Sequence, residues 1–118
     1  MSALYLAGPM RGIPDLNFPM FDEAAAWLRT RGFNVFNPAD NDRKLKAEGK
    51  ELNIRVCMGD DLAWICGHAD GVALLPGWET SLGATAEKCT AAAIGAQIFY
   101  LYKTDGKWHA SHEHRSDL

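Results

Sequence analysis

The sequence has no apolar run approaching the roughly 18–20 residues that a membrane-crossing helix requires, so no membrane association is expected. It has little cysteine. Cys57, Cys66 and Cys89 are odd in number, lack C-x-x-C spacing and stand beside apolar neighbours. That pattern argues against a disulfide framework or a zinc site and predicts free, buried thiols. It has no excess of positive charge either. Twelve Lys and Arg face fifteen Asp and Glu, a formal net charge of −3, so no polymeric nucleic acid is expected as a partner and any phosphate recognition must be local. No basic leader precedes the first apolar run, so no signal peptide is expected and the expected location is cytoplasmic. The phosphate-loop pattern G-x-x-x-x-G-K is missing, and the order of residues supports no Ser-His-Asp or Cys-His arrangement. Internal repeats and low-complexity segments are lacking too.

What is there suits one ordinary globular domain. The 118 residues are 47% apolar and 23% charged, enough for a single core and no more. Residues 3–7 form a short apolar run closed by Gly8-Pro9 and read as a buried strand. Asn17 is placed to cap a helix carrying Phe18, Phe21, Ala25 and Leu28, which Gly32 stops. A second strand covers Phe33 to Phe36 and ends at Asn37-Pro38. The charged stretch from Ala39 to Glu51 lacks apolar periodicity and reads as a mobile surface loop. A helix from about Leu52 to Gly67, a strand from Gly71 to Leu75, a helix from about Leu82 to Ile94 and a strand from Gln97 to Tyr102 follow. Strands without alternation, separated by helices, predict a parallel sheet covered on both faces. The expected fold is therefore α/β, a single-domain, three-layer Rossmann- or flavodoxin-like arrangement of about four strands over residues 1–102. Residues 103–118 read as a polar tail with a possible interface role.

Ligands of open parallel sheets bind at the carboxyl ends of the strands. That rule selects three loops: Gly8-Pro9-Met10-Arg11-Gly12, Asn37-Pro38-Ala39-Asp40, and Pro76 to Ser81. Two acids on the adjoining helices face inward. Asp61 falls within the arc of Ile54, Met58, Leu62 and Ile65, whereas Asp60 points aside, toward Trp64. Glu87 lies between Ala84, Ala91 and Ile94 on the next helix. Carboxylates are rarely buried without a partner or a purpose. A pair of them suits work at an acetal-like carbon, where one attacks and the other manages a proton. Against this stands the plainer reading that each acid reaches solvent at the edge of its stripe, and for Asp61 alone the two weigh equally.

Ser81 can cap the second of these helices, with Gly83 behind it, and exposed N–H groups there suit an anion. Arg11 on the neighbouring loop could supply the positive charge. Taken singly, an ordinary cap and a solvated arginine are the commoner roles. Trp78 is a candidate stacking surface for a base or an interface aromatic. His109, His112 and His114 could take up a metal, but a solvated tail is the better reading, and no metal site is expected.

With those residues in view, the chain resembles the nucleoside 2-deoxyribosyltransferase family, including its branch that hydrolyses 2′-deoxynucleoside 5′-monophosphates. The resemblance spans about Ala3 to Tyr102. It is carried by L-Y-L-A-G-P-M-R-G at 4–12, N-F-P-M-F at 17–21, F-N-P-A-D at 36–40, and above all the block at 60–87, which ends in S-x-G-x-x-x-E. The resemblance implies Glu87 as the nucleophile at C1′, Asp61 as the group that holds the sugar and handles the proton on the base, and Tyr5 as the residue beside the nucleophile. It implies Arg11, Gly12 and Ser81 as phosphate contacts, and Gly8, Met10, Asn37, Trp78, Glu79 and Gly83 complete the candidate substrate-binding set. It further implies a nucleoside or nucleotide as ligand, no cofactor, and a homo-oligomer, most simply a dimer. Trp27, Trp64 or Trp78, read as exposed aromatics, could supply its interface core. The sequence departs from the family in having Pro9 where the first loop carries a phosphate-binding serine and Cys89 where a glycine commonly follows the nucleophile. A nucleotide-binding module without turnover is the alternative, and a purely structural partner protein is a third.

Overall fold

A computed structural model describes residues 2–112. The elements run β1 (Ala3–Ala7), α1 (Phe18–Thr30), β2 (Asn34–Phe36), α2 (Pro38–Ala47), α3 (Ile54–His68), β3 (Gly71–Leu74), α4 (Leu82–Ala93), β4 (Gln97–Thr104) and β5 (Lys107–His112). The sheet order is β2-β1-β3-β4-β5. The first four strands are parallel, and β5 runs antiparallel to β4. Helices cover both faces, so the expected three-layer α/β class holds. The chain leaves β1 toward β2 on one side and returns to β3 on the other. The carboxyl ends of β1 and β3 therefore diverge into a crevice.

Strand alternation assigns the layers. Leu4 and Leu6 of β1 pack with Phe21, Ala24, Ala25 and Leu28 of α1, and Ala39 of α2 joins this face. Tyr5 and Ala7 point the other way, toward Ile65 of α3 and Ala84 and Ala91 of α4. Burying side chains such as Leu6, Val72 and Leu74 stabilises the fold by roughly 1.5–3 kcal/mol each. At the end of β1 only glycine fits, because a Cβ on Gly8 would lie 2.8 Å from the Cβ of Leu75.

Several expectations are corrected. The charged stretch after Asn37 is not a loop but begins with α2. The Asn37 side chain accepts a hydrogen bond from the Ala39 N–H at 3.0 Å, Pro38 occupies the first turn, and Lys44 and Lys46 close the last turn. These are helix signals at both ends. Apolar periodicity is missing because α2 buries only Pro38, Ala39 and Leu45. Residues 103–112 are not a tail. Asp105 and Gly106 both adopt positive φ, 51° and 75°, the two-residue turn that joins antiparallel strands. Past that turn, β5 buries Trp108, whose indole N–H donates to Glu23 at 3.0 Å. The sheet thus has five strands, not four. His109 and His112 belong to β5, and His114 lies outside the described residues.

Asn17 precedes α1 with φ 60° and makes no side-chain cap; its amide donates instead to the Pro9 carbonyl at 2.9 Å. That bond ties the loop after β1 to the start of α1. Cys66 and Cys89 are exposed and Cys57 only partly covered, so the thiols are free but not buried. Ile54 and Ile94 are also about half exposed, and the inward positions of α3 fall to Asp61 and Ile65. Among the described residues, no helix is long and apolar enough to cross a membrane.

Candidate active site

A cleft of about 800 Å³ opens at the carboxyl ends of β1 and β3, within the ~300–1,000 Å³ range of small-molecule sites. Its floor is Tyr5, facing α3 and α4 by the alternation of β1. The α4 helix starts at Ser81, whose Oγ accepts from the Ala84 N–H at 3.1 Å. Further along α4, Glu87 turns back over the sheet among Ala84 and Ala91, side chains small enough to leave room for it. Glu87 is only 5% exposed and Asp61 9%. The Tyr5 hydroxyl donates to Glu87 Oε2 at 2.7 Å, a short bond between buried partners.

The three groups form one electrostatic unit. Burial comes first in lifting Glu87, to about 8; the Tyr5 hydrogen bond opposes this and the negative Asp61 adds to it. Burial likewise lifts Asp61, to about 6, against hydrogen bonding to Tyr5 and Glu87 and with help from Asp42. Tyr5 is raised well above the ordinary phenol value, by burial and then by both acids. The phenol therefore stays protonated and remains a donor. The acids titrate as a pair, with one proton between them through the neutral range.

Residues 2–100 match the family described as Domain of unknown function (DUF4406). The chain belongs to that family. Among curated proteins, none matches the sequence.

In this DUF4406 chain, Tyr5, Gly8, Met10, Arg11, Gly12, Asp61, Ser81, Gly83 and Glu87 all line the cleft. Three other expected site residues do not line it. Asn37 is buried, holding the start of α2 and donating to Asp22 at 3.1 Å. Trp78 packs on Tyr100 with ring centroids 5.8 Å apart, under the Lys88 ammonium. Glu79 is exposed on the turn before α4. Trp27 and Trp64, expected at an interface along with Trp78, are also partly covered by their own chain, against Trp108 and Phe36. Among the described residues, no group of three or more His, Cys, Asp or Glu side chains could hold a metal ion.

Sequence reasoning misses the far wall of the cleft. Pro38 and Asp42 of α2 line it, as do Leu52 and, from α3, Ile54, Cys57 and Met58. Pro38 and Asp42 are spaced i, i+4, so they share a face once α2 is helical. A stretch read as loop hides that signal. The mouth carries an apolar rim of Leu16, Ile54 and Leu82, the last 91% exposed.

Proposed function

We propose that this protein cleaves or exchanges the N-glycosidic bond of a 2′-deoxynucleoside or its 5′-monophosphate, with Glu87 as the nucleophile. The observation that carries this reading is the buried Tyr5–Glu87 hydrogen bond beside Asp61, at the base of a cleft that Arg11 and Ser81 also line. A Glu87 carboxylate oxygen forms a bond to C1′ as the bond from C1′ to the base nitrogen breaks. Asp61 delivers a proton to the departing base, which leaves with the electron pair. Asp61 then takes a proton from water, and the resulting hydroxide attacks C1′ and frees Glu87. A second base in place of water gives transfer. Tyr5 donates to the carboxylate form of Glu87 and so opposes the burial that raises it, favouring the ionised nucleophile. The scheme uses no cofactor. Incubation with a panel of deoxynucleosides and their monophosphates, followed by chromatography for free base, tests it. Trapping of a 2′-fluoro analogue on Glu87, seen by intact mass, tests the covalent step.

A nucleotide-binding cleft without turnover is the second reading, favoured by the burial that holds a proton on Glu87 in the free protein. The pH profile separates the two. The active form has one of the paired acids ionised and the other protonated. Base release (kcat/KM) is expected to rise through about pH 6 and fall through about pH 8. A flat profile from pH 5 to 9 would detach the paired acids from the chemistry.

Arg11 and Ser81 make the expected phosphate end. Charge-assisted hydrogen bonds there are worth about 1.5–3 kcal/mol. Arg11→Ala is therefore expected to lower kcat/KM for a monophosphate by roughly ten- to a hundredfold and for the free nucleoside much less. Equal losses on both substrates would make Arg11 a loop-supporting residue only.

A further inference from the structure

The α2–α3 end of the cleft differs in chemistry from the rest. Pro38, Leu52, Ile54, Cys57 and Met58 give it apolar walls, and among the described residues Asp42 is its one carboxylate. Among the described residues, no Lys, Arg or His side chain lines this part of the cleft. Arg43, the next residue, is engaged by Asp22 at 2.6 Å and Asp40 at 3.2 Å. The hydrogen-bond partner of Asp42 is the Cys57 thiol, at 3.9 Å a weak donor. Burial raises Asp42 above the usual aspartate range, and the thiol opposes that only in part. An apolar slot ending in an under-used acceptor calls for a flat, apolar-faced ligand with an N–H donor on its edge.

We infer that the slot between α2 and α3 receives the base and that Asp42 selects bases presenting an amino group over those presenting a carbonyl. This rests on the nucleotide reading of the cleft. With phosphate at Arg11 and Ser81 and C1′ over Glu87, the α2–α3 residues are the lining left to receive the base. Cytosine carries an amino donor at the position where uracil carries a carbonyl acceptor, and a carboxylate pairs with the first and repels the second. Sites built to hydrogen-bond a polar group discriminate strongly against analogues that leave the buried partner unpaired.

The matched pair for a test is deoxycytidine and deoxyuridine 5′-monophosphate, which differ at that edge of the base. Calorimetry on the full chain gives Kd for each with wild type, Asp42→Asn and Asp42→Ala, and base release is followed in parallel. Wild type is expected to bind the cytosine nucleotide roughly ten- to a hundredfold tighter. Asp42→Asn, near-isosteric and able to donate as well as accept, should bring the ratio to about one or reverse it. Asp42→Ala should weaken cytosine binding and, with the repulsion removed, tighten uracil binding. A ratio that survives both substitutions, in variants that melt as wild type does, overturns the inference and leaves the glycosidic reading standing. Discrimination without base release supports the slot and overturns the turnover reading alone. Failure of wild type to bind either nucleotide overturns both.

Discussion

Glu87→Gln is expected to abolish base release and at the same time to raise the melting temperature at alkaline pH. Removing the nucleophile from a covalent mechanism costs roughly 10⁴-fold or more in turnover. The stability effect follows from linkage. Glu87 has a folded-state pKa raised to about 8, so the folded protein binds more protons than the unfolded chain between the ordinary glutamate value and 8. The contribution of this group is fully present below the ordinary value and is lost as pH rises through about 8. Asp61 acts in the same sense around pH 6. A folded-state pKa one pH unit above the unfolded one corresponds to about 1.4 kcal/mol. A neutral amide at position 87 should therefore spare the fold on the order of a few kcal/mol at pH 9 and almost nothing at pH 4. In melting temperature that is roughly ten degrees at pH 9. Parallel melts of the two proteins from pH 4 to 9 measure the widening gap. A variant less stable than wild type throughout would make Glu87 a structural acceptor for Tyr5, and one that still releases base would remove it as the nucleophile.

That acids should sit on the inward faces of α3 and α4 is legible in the sequence because helical periodicity is a strong signal where the surrounding positions are apolar or small. Asp61 beside Ile65, and Glu87 between Ala84 and Ala91, stand out for this reason, and the carboxyl-end rule then leads to the loops after β1 and β3. The same reasoning fails for α2. That helix buries one narrow edge, and its signals are the cap at Asn37, Pro38 in the first turn and lysines in the last. With α2 read as a loop, Asp42 cannot be placed on a wall and the slot beside it stays hidden. The fifth strand escapes for a different reason. Its residues are polar because one face is open, but Asp105-Gly106 between Tyr102 and Trp108 is a hairpin signal that needs no burial to be read. Asn17 shows that residue type alone does not settle a role. An asparagine at a helix start reads as a cap, yet its amide is taken by the Pro9 carbonyl. Trp78, Glu79 and Asn37 lie in the right loops in sequence but outside the cleft, since a loop of several residues has more than one side.

Asp61→Asn should separate proton delivery from attack. Base departure from C1′ places negative charge on a ring nitrogen, and a positioned acid that neutralises it contributes roughly 10²–10⁴-fold. The asparagine variant is therefore expected to lose about that much in kcat with natural deoxynucleotides. A substrate whose leaving group is a weak base needs no proton, and with it the loss should shrink to less than about tenfold. Removing the negative neighbour also relieves Glu87 of one of the influences raising it, while burial keeps it above the ordinary range. The pH profile should accordingly keep a rising limb, now below about 8, and lose its alkaline fall, because no second acid is left to deprotonate. Measuring kcat for both leaving groups across pH 5 to 9 tests all three expectations on one variant. A loss of equal size with either leaving group would mean that Asp61 holds the sugar or shapes the cleft, and the departing base would then need another source for its proton.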